Sequence, residues 1–160
     1  MKTLCCMLLL LVSSVAASPV GDLTLVGQGR MSWLFWELYQ ARFYSESGHY
    51  QPGQYPQALS LRYQRNIDND DLITATVEEW QRLGVEWKRE WPGQLAKIWP
   101  SVRTNDELVL RVDEDGTSRF YFNWQLVGSM GDPDFAPAFL AIWFSSDSRN
   151  PGLTRKLKGG

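Results

Sequence analysis

The chain has 160 residues, 44% of them hydrophobic, and a formal net charge of -2 at pH 7. That composition suffices for one sizeable core, and it gives no electrostatic reason to expect nucleic acid or an anionic membrane surface as partner. Both cysteines, Cys5 and Cys6, lie in an N-terminal apolar run, so the rest of the chain offers no disulfide, no thiol nucleophile and no zinc-thiolate site.

In chain order, Met1-Lys2 is a short positive start, Leu4 to Val12 is apolar, and Val15-Ala16-Ala17 ends the run with small residues. This is the pattern of a secretory signal peptide, residues 1–17, cleaved after Ala17. The run is too short for a transmembrane span. Residues 18–160 then form one predicted domain with no transmembrane segment, and losing Lys2 leaves 15 basic against 18 acidic residues.

Gly21 to Gln28 alternates weakly and reads as a strand. Arg30 to Phe35 and Trp36 to Tyr44 read as two more, or as one long strand with a bulge. No Asn-Gly or Asp-Gly pair marks the bend between them. Ser45 to Pro56 is a loop of turn formers. Ala58 to Arg65 is a strand with Leu59, Leu61 and Tyr63 on one face and Ser60, Arg62 and Gln64 on the other. Asn69-Asp70-Asp71 opens a helix, because these side chains accept hydrogen bonds from free first-turn amides. Leu72, Ile73, Thr76, Val77, Trp80 and Leu83 follow on one stripe, and Gly84 is its expected left-handed cap. A second helical stretch is predicted over 85–99, kinked or restarted at Pro92. Glu107 to Val112 and Ser118 to Trp124 form a hairpin around Asp115-Gly116. Gly128 to Gly131 is a predicted turn. Asp132-Pro133 and Asn150-Pro151 each pair a cap residue with proline at the first helical position. The first starts a helix carrying Phe135, Phe139, Ile142 and Trp143, and the second a short basic helix. Strands, helices, a hairpin and helices predict an α+β layer with an antiparallel sheet.

Few residues carry chemistry. Gly27-Gln28-Gly29 lacks the third glycine of a dinucleotide loop and is followed by a strand, so it reads as a bulge or tight bend. His49 is the only histidine and sits in a polar loop, where it makes neither a metal site nor a triad. Asp68, Asp70, Asp71, Glu78 and Glu79 do not follow calcium-loop spacing, and Asp113 to Asp115 suit a turn. No metal site and no cofactor is predicted. Arg30, at the head of an aromatic strand, has two readings: a strand-end arginine paired with an acid such as Glu37, or the fork that grips a ligand carboxylate. Tyr39 and Tyr63 are core tyrosines or hydroxyl donors to the same ligand.

Three ordered blocks, GQGRMSWLFWELYQARFY, ALSLRYQRNIDNDDLITATVEEW and FNWQLVGSMGDPDFAPAFLAIWFS, resemble the bacterial exported branch of the chalcone isomerase-like proteins. The resemblance runs from about Leu25 to Leu157. It implies a chalcone isomerase-like α+β fold: an antiparallel sheet, helices packed on one face, and a ligand cleft between the layers. It also implies a Gram-negative periplasmic location. Plant enzymes of that family close a chalcone to a flavanone with an arginine, a threonine, a tyrosine, an asparagine and another threonine or serine. The non-catalytic branch binds fatty acids, with arginine and tyrosine on the carboxylate. The arginine matches Arg30. The other positions fall near Tyr39, within Leu72 to Thr76, near Glu79 and near Ile142, and none carries the expected residue.

The resemblance therefore implies a non-catalytic exported protein that holds a fatty acid or another amphipathic carboxylate. Arg30 would anchor the acid, Tyr39 and Tyr63 would assist, and Trp33, Trp36, Trp80 and Phe139 would form the wall. An isomerase or lyase using Glu37 or Glu79 is the second expectation. A partner-binding protein of the cell envelope, with a filled interior and an exposed aromatic patch, is the third.

Overall fold

A computed structural model describes residues 16–160. The expected signal peptide falls almost wholly outside the described residues. Six strands, β1 (Thr24–Trp33), β2 (Trp36–Ser45), β3 (Gln57–Tyr63), β4 (Glu107–Val112), β5 (Ser118–Phe122) and β6 (Gln125–Met130), form one antiparallel sheet in sequence order. Four helices accompany it: α1 (Asn69–Leu83), α2 (Trp91–Ile98), α3 (Phe135–Phe144) and α4 (Pro151–Leu157). The architecture is the α+β layering expected from the residue pattern.

Alternation along the strands decides which face the helices cover. Ala41 and Phe43 pair with Leu61 and Leu59, which pair in turn with Leu108 and Leu110, and Leu110 pairs with Phe120. All seven are buried in the core cluster with Trp80, Trp91, Leu95, Phe135 and Phe139 from the helices. The intervening register carries Gln40, Arg42, Arg62, Glu107, Arg111 and Arg119 on the opposite face. There Ser60 donates to Glu107 at 2.7 Å, and Arg111 binds Asp22 and Asp113, tying the segment before β1 to the sheet. α4 lies across β1 and α1 packs on α3.

α1 ends where expected, with Gly84 in the left-handed conformation (φ 65°). The Gly27-Gln28-Gly29 segment holds a bulge, with a register shift between Leu25 and Gly27. It also seats a helix: a Cβ on Gly27 would lie 1.8 Å from the Lys156 carbonyl oxygen of α4. Only a residue without a side chain lets α4 approach β1 this closely.

Four expectations are corrected. The strands expected over Gly21 to Gln28 and Arg30 to Phe35 are one strand, β1, and its bend into β2, for which no position was expected, falls at Leu34-Phe35, with Leu34 at φ 55°. The second helical stretch shortens to Trp91–Ile98, with Pro92 in its first turn, because Pro92 starts a helix it cannot continue. The turn expected at Gly128 to Gly131 is instead mostly strand β6. Its real turn is Asn123-Trp124, both at positive φ (46° and 71°), a two-residue hairpin connection without glycine. Finally, α3 starts two residues later than expected, at Phe135 after Asp134: Asp132 Oδ1 accepts from the Asp134 N–H in the turn that leads into the helix, while its Oδ2 accepts from Lys88 and Trp91.

Candidate functional site

The covered sheet face and the helices do not close completely. Between them lies a cavity of about 370 Å³ with a mainly apolar lining. Leu61, Tyr63 and Leu108 form its floor. α1 contributes Leu72, Ala75, Thr76 and Glu79, α3 contributes Phe139, Ile142 and Trp143, and Met31, Trp33 and Tyr39 come from the β1–β2 hairpin. Arg149 and Asn150, between α3 and α4, and the acidic Asp71 and Glu78 of α1 also belong to the lining.

Two hydroxyls stand out in this apolar setting. Tyr39 and Tyr63 are register partners on β2 and β3, with ring centroids 5.8 Å apart in edge-to-face contact. Trp143 Nε1–H donates to the Tyr39 hydroxyl oxygen at 3.0 Å. That is the one hydrogen bond either hydroxyl makes among the described residues. Burial drives both phenols well above their ordinary value of 10.0, since the phenolate would be poorly solvated there. Both are therefore O–H donors at any physiological pH, facing mainly apolar space with no acceptor among the described residues.

A charged cluster sits beside them. Glu79 has a side chain only 14% exposed. Burial pushes its carboxyl upward, but hydrogen bonds from Arg82 and Arg149 outweigh that and hold it below its usual value. Arg82 donates to Glu79 at 2.8 Å through its Nη2, and Arg149 donates through Nε at 2.8 Å. Glu79 is thus held as an anion between two guanidinium groups, and the cluster carries one net positive charge. An acid kept ionised in this way suits charge placement better than proton delivery. Among the described residues no group of three or more histidines, cysteines, aspartates or glutamates is placed to hold a metal ion, and no helix is long and apolar enough to cross a membrane.

The expected site residues divide clearly. Tyr39, Tyr63, Trp33 and Phe139 line the cavity. Arg30 does not. Gly29 and Met31 on either side of it face the helices, so Arg30, paired with Gln40, belongs to the opposite register. Its side chain is 71% exposed, 3.5 Å from Glu37, in a surface cleft with Arg155 and Lys156. Trp36 is also outside, 58% exposed, with the Arg65 guanidinium 4.6 Å over its ring. Trp80 is fully buried beneath α3, where its Nε1–H donates to the Ala138 carbonyl at 3.0 Å and its ring meets Trp87, Trp91 and Phe135. It is structural core. Of the positions the resemblance marks, those near Tyr39, Glu79 and Ile142 line the cavity, the Leu72 to Thr76 stretch does so through Leu72, Ala75 and Thr76 but not Ile73 or Thr74, and Arg30 falls outside. Arg149 was not foreseen. It lies in the short link between α3 and α4, where no periodicity marks its direction.

No family model matches the chain. An uncharacterised protein of Haemophilus influenzae is 23% identical over 152 residues, covering 93% of this chain and 74% of its own length. The crystal structure of the Arabidopsis thaliana fatty-acid binding protein AtFAP1 superimposes with a TM-score of 0.65 at 12% identity, over 91% of each chain. At that identity the likeness shows the fold alone, and the fold is the chalcone isomerase-like one.

Proposed function

We propose that this protein binds an amphipathic carboxylate, most simply a fatty acid, in the cavity between sheet and helices. The observation that carries the reading is the pair of Tyr39 and Tyr63 hydroxyls, protonated donors without acceptors in an apolar cavity of about 370 Å³. The two hydroxyls open onto the cavity and are not sealed in the core, so a ligand acceptor oxygen can reach both. The cavity size falls within the range of small-molecule sites. The acyl chain lies along Leu61, Leu72, Leu108 and Phe139, contributing about 0.8 kcal/mol per buried methylene. The head group accepts from the two tyrosines, and Arg149 supplies the nearby positive charge in the place expected of Arg30. The fatty-acid binding neighbour of the same fold supports this choice of ligand. For location, the Leu4 to Val12 run and the small residues after it support export, and the resemblance supports a periplasmic destination.

The test is calorimetric titration of delipidated protein with palmitate. Ala75 is an exposed α1 residue at the cavity wall, so Ala75→Trp fills the space without removing a core contact. Uptake by the wild type and its loss in a folded Ala75→Trp variant is the expected result. No uptake by the wild type, or equal uptake by both proteins, overturns the reading.

A further inference from the structure

The β1–β2 hairpin ends in four consecutive large apolar residues turned to solvent. Trp33 is 49% exposed, Leu34 79%, Phe35 98% and Trp36 58%. Solubility alone disfavours such a tip. So does the backbone: Leu34 is at φ 55°, at the first central position of a two-residue turn, where glycine is the ordinary occupant. A bulky side chain held there at conformational cost points to use.

Charge surrounds the tip selectively. Arg65 lies 4.6 Å over Trp36 and Arg149 5.4 Å over Trp33. Arg30, three residues before Trp33, shares a surface cleft with Arg155 and Lys156. Two of these five cations are paired, Arg30 with Glu37 and Arg149 with Glu79, which also holds Arg82; Arg65, Arg155 and Lys156 have no ion-pair partner among the described residues, and Asp71 and Glu78 are the other acids in the adjoining cavity lining. A convex aromatic tip in a basic collar matches the interface of a bilayer with anionic head groups, where tryptophan sits at head-group depth and arginine meets phosphate. A protein partner would need a groove to receive the protrusion, and nothing in the collar's charge selects one.

The other hairpin supports the same orientation. β5 and β6 turn at Asn123-Trp124, at the same end of the sheet as the β1–β2 tip, and Trp124 is again exposed (47%) at positive φ (71°). Asp106 and Glu107 lie near that turn, so the basic β1–β2 side leads the contact. Trp33 belongs both to the tip and to the cavity lining. A surface that receives the tip therefore stands beside the cavity.

We infer that the Trp33–Trp36 hairpin tip docks the protein on an anionic lipid bilayer. Its use, bringing the cavity to a source of acyl chains, rests on the binding reading above; the docking itself does not. The experiment is co-sedimentation of delipidated protein with vesicles of phosphatidylcholine alone or mixed with phosphatidylglycerol, with tryptophan emission recorded in parallel. Asparagine tolerates the left-handed position, so the double variant Leu34→Asn, Phe35→Asn keeps the turn while removing its apolar surface. Expected are binding to the mixed vesicles with a blue-shifted emission, weakening with added salt, and a loss of about tenfold or more in the double variant. Ala75→Trp is expected to bind vesicles as the wild type does, which separates a failed cavity reading from a failed docking reading. Equal vesicle binding by the double variant overturns the inference. So does absence of binding by the wild type, including the case where the tip instead mediates a concentration-dependent dimer that the double variant loses.

Discussion

At Tyr63 a single oxygen distinguishes a ligand site from a plain core residue. The ring belongs to the buried core, while its hydroxyl meets no partner among the described residues. Tyr63→Phe should therefore leave the melting temperature nearly unchanged or slightly raised. It should weaken palmitate by roughly ten- to a hundredfold, the worth of one hydrogen bond to a carboxylate, with little effect on an alkane of the same length. Paired titrations of the two ligands check this. The same residues set an alkaline limit on the fold. The folded pKa of Tyr39 and Tyr63 is raised, so their share of stability is intact below the unfolded value near 10 and is lost as pH rises beyond it. Absorbance titration of the six tyrosines should show a group that ionises only as the protein unfolds. Free titration of every phenol near pH 10 contradicts the burial argument.

Among the elements, the α4–β1 contact is the least forgiving. A methyl on Gly27 meets the Lys156 backbone at 1.8 Å, whereas one on Gly128 meets the Ile98 side chain at 2.8 Å. A backbone cannot rotate away as a side chain can. Gly27→Ala should thus destabilise by several kcal/mol, as overpacking against main chain does, and Gly128→Ala by about 1 kcal/mol or less. Thermal melts of the two variants rank them, and a reversed order refutes the account. The α1–α3 seam depends similarly on Trp80, fully buried with its indole N–H bonded to Ala138. Trp80→Ala should cost about 3–5 kcal/mol, a fall in melting temperature on the order of ten degrees.

For the whole molecule, binding and stability are linked. A ligand held only by the folded state at a hundred times its dissociation constant adds about 2.7 kcal/mol. Saturating palmitate should raise the melting temperature of the wild type by several degrees and leave Ala75→Trp unmoved. An equal rise in both would place the ligand elsewhere. The fold that makes this linkage was largely legible in the residues. Period-two alternation at Leu59, Leu61 and Tyr63, the Asp115-Gly116 turn, the α1 stripe and the Gly84 cap are local signals, and each appears where it was read. β6 escaped because Asn123-Trp124 makes its hairpin without glycine, and the β1–β2 bend escaped because Leu34 takes a conformation its type disfavours.

The sequence by itself determined the fold class and the core stripes, because side-chain period follows from backbone geometry alone, but period did not separate Tyr39, Tyr63, Trp33 and Phe139, which line the cavity, from Trp36 and Trp80, which do not. Only the tertiary structure decided what depends on parity and on distant segments meeting. Arg30 falls on the solvent face because its two neighbours face α4 and the cavity. Arg149 takes the place beside the cavity because the α3–α4 link returns to α1 across 70 residues of chain. A net charge of -2 also hides the basic collar at the hairpin tip, since a sum over the chain carries no information about where charges gather.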